Sequence, residues 1–264
     1  MDQKLYALQE QVVAALQGLN DKQFEGAKLC GGTALSRCWL DHRVSYDLDF
    51  FLPEGFDALA LSGALKKGGI EFEVVDVVDH KDKANQLHGY VVHQGDRLKV
   101  SFIEDSYFTL YPAIQKKLGS LTVTTESIDG LYHRKLRTVS GRVSEGSEVV
   151  GGRQTARDLF DLYVLSTAHK PIREFISTVT YAFPSDAFDN GLILMAWMEL
   201  ADELQQIKCN PKWEEAKNLS VLQESLYREI GATTVDEFNV DGEGDDDDDK
   251  PDEKGSGFGP GGRR

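Results

Sequence analysis

The stretch from Leu29 to Leu52, LCGGTALSRCWLDHRVSYDLDFFL, decides the fold. It opens on the apolar pair Leu29-Cys30, reaches Gly31-Gly32-Thr33, continues in a short helical pattern and crosses a polar loop. It closes as an apolar strand that carries Asp47 and Asp49. Strand side chains alternate between faces, so the two aspartates share one side while Leu48 and Phe50 point into a core. Two aligned carboxylates suit a divalent cation that must also touch phosphate. The glycine pair sits where a strand becomes a helix. There the backbone can approach a phosphate closely, and the free N–H groups of the helix start favour an anion. Taken singly, Gly-Gly is an ordinary turn and Asp-x-Asp ordinary surface polarity. Asp-x-Asp also occurs in sugar-nucleotide transferases, so the pair alone leaves the chemistry open. Arg43 and Ser45, just before the aspartates, make the combination more specific.

Outward from this stretch, periodicity predicts a helix over Leu5 to Leu19, a strand over Ala27 to Cys30, a helix over Thr33 to Leu40 and the acidic strand over Asp47 to Leu52. Phe56 to Lys67 reads as a helix stopped by Gly68-Gly69. Strands follow over Ile70 to Val78, Leu87 to His93 and Arg97 to Ile103, the last two joined by a Gln94-Gly95-Asp96 turn. Leu121 to Thr125 reads as a further strand and Ser127 to Val139 as a helix carrying Lys135. Gly141 to Gly152 is a Gly- and Ser-rich loop, and Thr155 to Ala168 a strong helix with Asp158 and Asp161 on one face. Ile172 to Tyr181, Ala187 to Ile207 and Trp213 to Ile230 read as helices, with Leu192 to Trp197 inside a buried one. This predicts an α/β (α+β) protein: a mixed sheet with helices over residues 1–125, a helical half over 126–233 and a disordered tail over 234–264.

The chain has 264 residues and a net charge of −15. From Asp236 to Arg264 there are 11 acidic and 4 basic residues, so much of that charge sits in the tail. Its Asp-Asp-Asp-Asp-Lys run also resembles a protease cleavage tag, so an engineered origin is an alternative there. An acidic body argues against broad, non-specific nucleic-acid binding. The one basic stretch, His133 to Arg157, carries Arg134, Lys135, Arg137, Arg142, Arg153 and Arg157. No apolar run reaches membrane-span length, and Met1-Asp2-Gln3-Lys4 does not open a signal peptide. Cys30, Cys38 and Cys209 have neither disulfide-framework nor zinc spacing, which sets the expectation of a cytoplasmic protein without membrane contact.

Gly31-Gly32-Thr33-Ala34-Leu35, followed by Arg43-x-Ser45-x-Asp47-x-Asp49, resembles the first motif of the AbiEii/AbiGii-type nucleotidyltransferase toxins, a family of the DNA polymerase β-like superfamily. Lys135 and Arg157-Asp158-x-x-Asp161-Leu162-Tyr163 resemble its later motifs, so the resemblance spans about Phe24 to Ser166. It implies transfer of a nucleotide from a nucleoside triphosphate to an RNA acceptor, often tRNA, and a cognate antitoxin as partner. Asp47 and Asp49 would hold Mg2+ (or Mn2+). Gly31, Gly32 and Thr33 would hold phosphates, with Arg43, Ser45 and Arg157 assisting or, for Arg43 and Ser45, pinning the loop. Lys135, Asp158 and Asp161 would form the catalytic group: Lys135 on phosphate or leaving group, Asp158 pairing with Lys135 or acting as base, Asp161 orienting its helix. His88, His93 and His133 read as ordinary. One departure stands out: where superfamily members often carry a third carboxylate on a central strand, this chain has Ser101. Asp105 has the same strand parity but lies too far along. A second reading follows, a catalytically degraded nucleotide-binding or interaction module on the same fold.

Overall fold

A computed structural model describes residues 2–79, 84–140, 142–143, 149–150, 152–179 and 185–231. The acidic tail and much of the 141–152 segment lie outside the described residues. Helix α1 (Gln3–Gln17), capped by Asp2, buries Val12, Val13 and Leu16. Strand β1 (Lys28–Cys30) runs into a single helical turn, α2 (Gly31–Thr33), which widens into a π-helical segment over Ala34–Leu40. That segment ends at Asp41, whose left-handed backbone (φ 46°) turns the chain toward β2 (Asp47–Leu52). Wide π turns are rare and occur mostly where a chain serves a site.

Helix α3 (Ala58–Lys67) leads to β3 (Phe72–Val78), β4 (Gln86–His93), β5 (Asp96–Glu104), β6 (Ala113–Leu118) and β7 (Leu121–Glu126). The seven strands form one mixed sheet in the order β3-β4-β5-β2-β1-β7-β6. The β4–β5 hairpin turns through Gln94 and Gly95, both at positive φ (53° and 85°), the two-residue turn that matches strand twist. Strand β2 lies antiparallel to β1 and parallel to β5. One face of the sheet is sealed by aromatic packing: Phe50 stacks on Phe102 at 5.8 Å, and Phe24 meets Phe50 edge-on at 5.3 Å. The opposite face of β2, with Asp47, Asp49 and Phe51, is only partly covered.

The remaining chain is helical: α4 (Ile128–Val139), capped by Ser127; α5 (Ala156–Ala168); α6 (Ile172–Thr178); α7 (Ser185–Ile193); α8 (Ala201–Gln206); and α9 (Leu219–Ile230). Short ladder strands β8 (Arg142–Val143) and β9 (Val149–Val150) pair between α4 and α5. Helix α4 packs on α5 and also reaches β7 and α2, which sets the helical half against the β1 side of the sheet.

Several expectations need correction. The helix expected over Ala187 to Ile207 breaks after Ile193 and resumes through a 3-10 turn at Trp197–Leu200 into α8. Met195 and Trp197 are buried at this break, but Ile193 is 61% and Leu194 43% exposed, so the apolar run is not one buried helix. Gln154 holds the break open by accepting from Ala196 N–H and donating to the Leu194 carbonyl. The helix expected from Trp213 starts as a 3-10 segment (Pro211–Lys217) and restarts at Asn218, whose side chain caps α9. Strand β6 went unread because Ala-Ile-Gln-Lys-Lys-Leu is a polar edge strand. Strand β3 is the other edge, and its pairing with β4 shifts register at a bulge between Val74 and Asp76.

Candidate active site

Asp47 and Asp49 stand side by side on the open face of β2, in a cleft of about 420 Å3. One bank of this cleft comes from the β1 side: Gly31, Gly32, Lys135, Arg153, Thr155 and Asp158. The other comes from β5 and β4, where Lys99 is paired with Asp47 and Ser101 with Asp49 in the parallel ladder. Two carboxylates this close repel each other. Burial pushes the Asp49 carboxyl up to about 6, and the Asp47 charge pushes the same way, against partial relief from Lys135 and Ser101. A carboxylate pair held in this state is a hard oxygen donor set that a divalent cation would relieve, so the residues present fit such an ion.

The glycine pair is required by these neighbours. Gly31 has φ +67°, and a Cβ there would overlap the Asp49 carboxylate. A Cβ at Gly32 would lie 2.7 Å from Arg43 Nη2 and 2.9 Å from Ser45 Oγ. Thr33 does not reach the cleft with its hydroxyl. Its side chain is buried and donates to the Asp47 carbonyl, which ties the helical turn to β2 and corrects the expectation of a hydroxyl on phosphate. Ser45 Oγ lies 3.4 Å from Asp47 Oδ1, and its own carbonyl accepts from Gln9 at 2.8 Å.

Behind the cleft lies a buried ion cluster. Asp161 is fully buried and accepts from Arg43 Nε and Nη2 at 2.6 and 2.7 Å, His42 Nε2 at 2.6 Å and Lys135 Nζ at 2.7 Å. Burial opposes its ionisation, but Arg43, Lys135 and His42 outweigh that and hold it well below the carboxylate range. Burial drives His42 down, so it stays neutral at ordinary pH and donates its Nε2 proton. Asp161 does not line the cleft, which corrects its place among the catalytic residues: it positions Arg43 and Lys135. Arg43 also lines the cleft, but it uses three of its five N–H donors on Asp161 and the Val44 carbonyl, which ties down the loop before β2.

Asp158 accepts from Lys135 at 2.6 Å, Arg153 at 2.7 Å and the Thr155 hydroxyl at 2.6 Å. Burial raises its pKa, yet Lys135 and Arg153 bring it below the ordinary value, which makes it a poor proton acceptor. Burial likewise lowers the Lys135 ammonium, and Asp161 and Asp158 more than restore it. Two of its three N–H donors are used, and the residue still lines the cleft. Arg153 and Arg157 are exposed cations at the mouth, with side chains 60% and 45% exposed, and Arg157 reaches Glu203 at 3.7 Å; Lys99 is an exposed cation on the opposite bank. Asp105 is buried on Arg134, which also holds Glu126, so it is no substitute for a carboxylate at Ser101.

Two histidines sit closer to the site than their spacing in the sequence implies. His42, beside Arg43, carries no spacing signal of its own. His88 was read as ordinary but lines the cleft, directly across β4–β5 from Ser101. The alternation of β4 and β5 on either side of the hairpin was the signal that could have found it.

Two solved Helicobacter pylori structures are similar to this chain. The structure of JHP933 is 17% identical, with 88% of this chain and 94% of that chain covered and a TM-score of 0.44. A second, described as a candidate nucleotidyltransferase, is also 17% identical, covers 88% of this chain and 98% of that chain, and has a TM-score of 0.45. None of the curated proteins compared matches the chain. The family model for the nucleotidyl transferase AbiEii toxin of type IV toxin–antitoxin systems matches residues 14–226, which takes in both the sheet and the helical half. With its first motif built into the carboxylate cleft and its later motifs into the ion cluster behind it, this chain belongs to the AbiEii nucleotidyltransferase toxin family.

Proposed function

We propose that this protein is a metal-dependent nucleotidyltransferase that moves a nucleotide from a nucleoside triphosphate to an RNA acceptor, tRNA or tRNA-like. It acts as a toxin or phage-defence protein held in check by a cognate antitoxin. The observation that carries this reading is the pairing of Asp47 and Asp49 on one strand face, in a cleft that Gly31, Gly32, Lys135 and Arg153 also line. Mg2+ (or Mn2+) bound by the two carboxylates would neutralise phosphate charge and favour in-line displacement. Gly31 and Gly32 offer a close backbone approach to the triphosphate. The remaining Lys135 N–H faces charge that develops on the leaving pyrophosphate, and Arg153 and Arg157 hold that end at the cleft mouth. Asp158 and Asp161 fix Lys135 rather than accept a proton. Among the described residues no helix is long and apolar enough to cross a membrane.

A second reading is a module that binds nucleotide without turnover, and Ser101 opposite Asp49 favours it. The deciding experiment incubates the protein with total RNA and each labelled triphosphate, with Mg2+ or with chelator. Metal-dependent incorporation into RNA supports the enzyme. Nucleotide binding without incorporation supports the module.

A further inference from the structure

The cleft has two chemically different banks. Most of the cationic and phosphate-suited groups (Gly31, Gly32, Lys135, Arg153) stand on the β1 side of β2, and Lys99 is the one cation lining the β5 and β4 bank among the described residues. In an in-line displacement the nucleophile enters opposite the leaving group. With pyrophosphate on the β1 side, the acceptor hydroxyl must approach over β5 and β4. That bank offers Lys99, Ser101, Gln86 and His88.

The strand register aligns these groups. Asp49 pairs with Ser101, Ser101 pairs with His88, and residues paired across a sheet share a face. Two strand spacings separate Asp49 from His88, about 10 Å. The space between them lies over Ser101, whose side chain is small. His88 Nε2 is 2.8 Å from Gln86 Oε1, which can only accept, so Nε2 carries the proton and Nδ1 keeps its lone pair. The charged groups near the ring are Asp76 on β3 and Lys99 on β5. Partial burial lowers the histidine's pKa, Asp76 opposes and Lys99 assists, so the ring is neutral at ordinary pH.

We infer that His88 is a catalytic residue, the general base for the acceptor hydroxyl, which replaces the carboxylate missing at Ser101. The inference rests on the cleft being a nucleotidyl-transfer site. The acceptor hydroxyl gives its proton to His88 Nδ1 as its oxygen bonds the α-phosphorus. The bridging P–O bond to the β-phosphate breaks, and its electron pair leaves on pyrophosphate. The imidazolium then releases the proton to water. Gln86 is the positioning residue that fixes the ring and its tautomer.

The test compares wild type, H88Q and D49A in labelled-triphosphate transfer to total tRNA, across pH and at saturating Mg2+, which removes the titration of Asp49. H88Q should lose about 10²–10⁴-fold in kcat. Its Kd for a triphosphate in Ca2+ should stay within about twofold. The wild-type rate should fall only below the ordinary histidine range, whereas the H88Q rate should climb steadily with pH. A folded H88Q with wild-type rate and pH profile overturns the inference and leaves the transfer reading standing. So does an H88Q defect confined to triphosphate binding. Wild type without metal-dependent transfer, or D49A with full transfer, overturns the reading itself and the inference with it. A second measurement needs no variant. The His88 ring resonances of wild-type protein should shift when total tRNA joins an α,β-methylene triphosphate complex; unmoved resonances overturn the assignment.

Discussion

Replacing Asp49 with Asn should abolish transfer and, without metal, make the protein more stable. Ionised Asp49 sits beside ionised Asp47, with its pKa raised from 3.8 to about 6 by burial and by that neighbour. At about 1.36 kcal/mol per pKa unit this corresponds to roughly 3 kcal/mol of destabilisation. Solvent at a part-exposed carboxylate reduces the expectation to about 1–2 kcal/mol. The sign follows from linkage. A carboxylate whose folded pKa is raised favours the folded state at low pH, and that benefit is lost as pH rises through about 6. Asn mimics the protonated form, so the advantage of D49N over wild type should be full at pH 8, shrink through pH 6 and vanish near pH 4. Urea unfolding of both proteins in chelator at these three values measures it, and comparison at each pH cancels the titration of every other group. Mg2+ should then stabilise wild type in a concentration-dependent way and leave D49N unmoved. A D49N protein less stable than wild type at pH 8 would refute the electrostatic argument.

Three other perturbations probe the surrounding parts. G31A should lower Mg2+ affinity and transfer together, because the new methyl displaces the Asp49 carboxylate and meets a positive φ; calorimetric titration with Mg2+ reads the first effect. D161A should cost about 3–5 kcal/mol in urea unfolding, since it leaves buried Arg43 and Lys135 short of their counter-charge. A loss under about 1 kcal/mol would mean that the cluster relaxes freely. R153A should raise the KM for triphosphate and flatten its salt dependence with a smaller change in kcat, because the side chain is 60% exposed at the mouth.

How much of this was legible in the sequence depended on the range of the interaction. The alternation Asp47-Leu48-Asp49-Phe50 is a local rule of strand geometry, and β2 spans Asp47–Leu52 as read. By the same rule Ser101 shares a face with Lys99, and the parallel ladder puts that face beside the aspartates. Helix α5 was legible because its apolar spacing is unbroken. The α7–α8 region was not, since Leu192 to Trp197 is apolar throughout and periodicity cannot show where such a run bends. The bend depends on Gln154, some 40 residues away along the chain.

The ion cluster shows the same limit within the site. From sequence, Arg43 could assist on phosphate or pin its loop, Lys135 could meet phosphate or leaving group, Asp158 could pair with Lys135 or act as base, and Asp161 could orient its helix. Folding joins them: Asp161 binds the loop before β2 through His42 and Arg43, and the helical half through Lys135. Charges that neutralise one another at 2.6–2.7 Å have little left for a ligand, so position in the cluster, rather than charge, sorts the roles. Lys135 lines the cleft with one of its three donors not used on Asp158 or Asp161, Arg153 is shared between Asp158 and solvent, and Asp161 is fully buried outside the cleft lining. The two carboxylates without a cation within ion-pair distance are Asp47 and Asp49, among the described residues of this cleft. The fold pairs the other acid of this cleft and leaves these two repelling each other, and that is the repulsion which the cation of the proposed reaction would relieve.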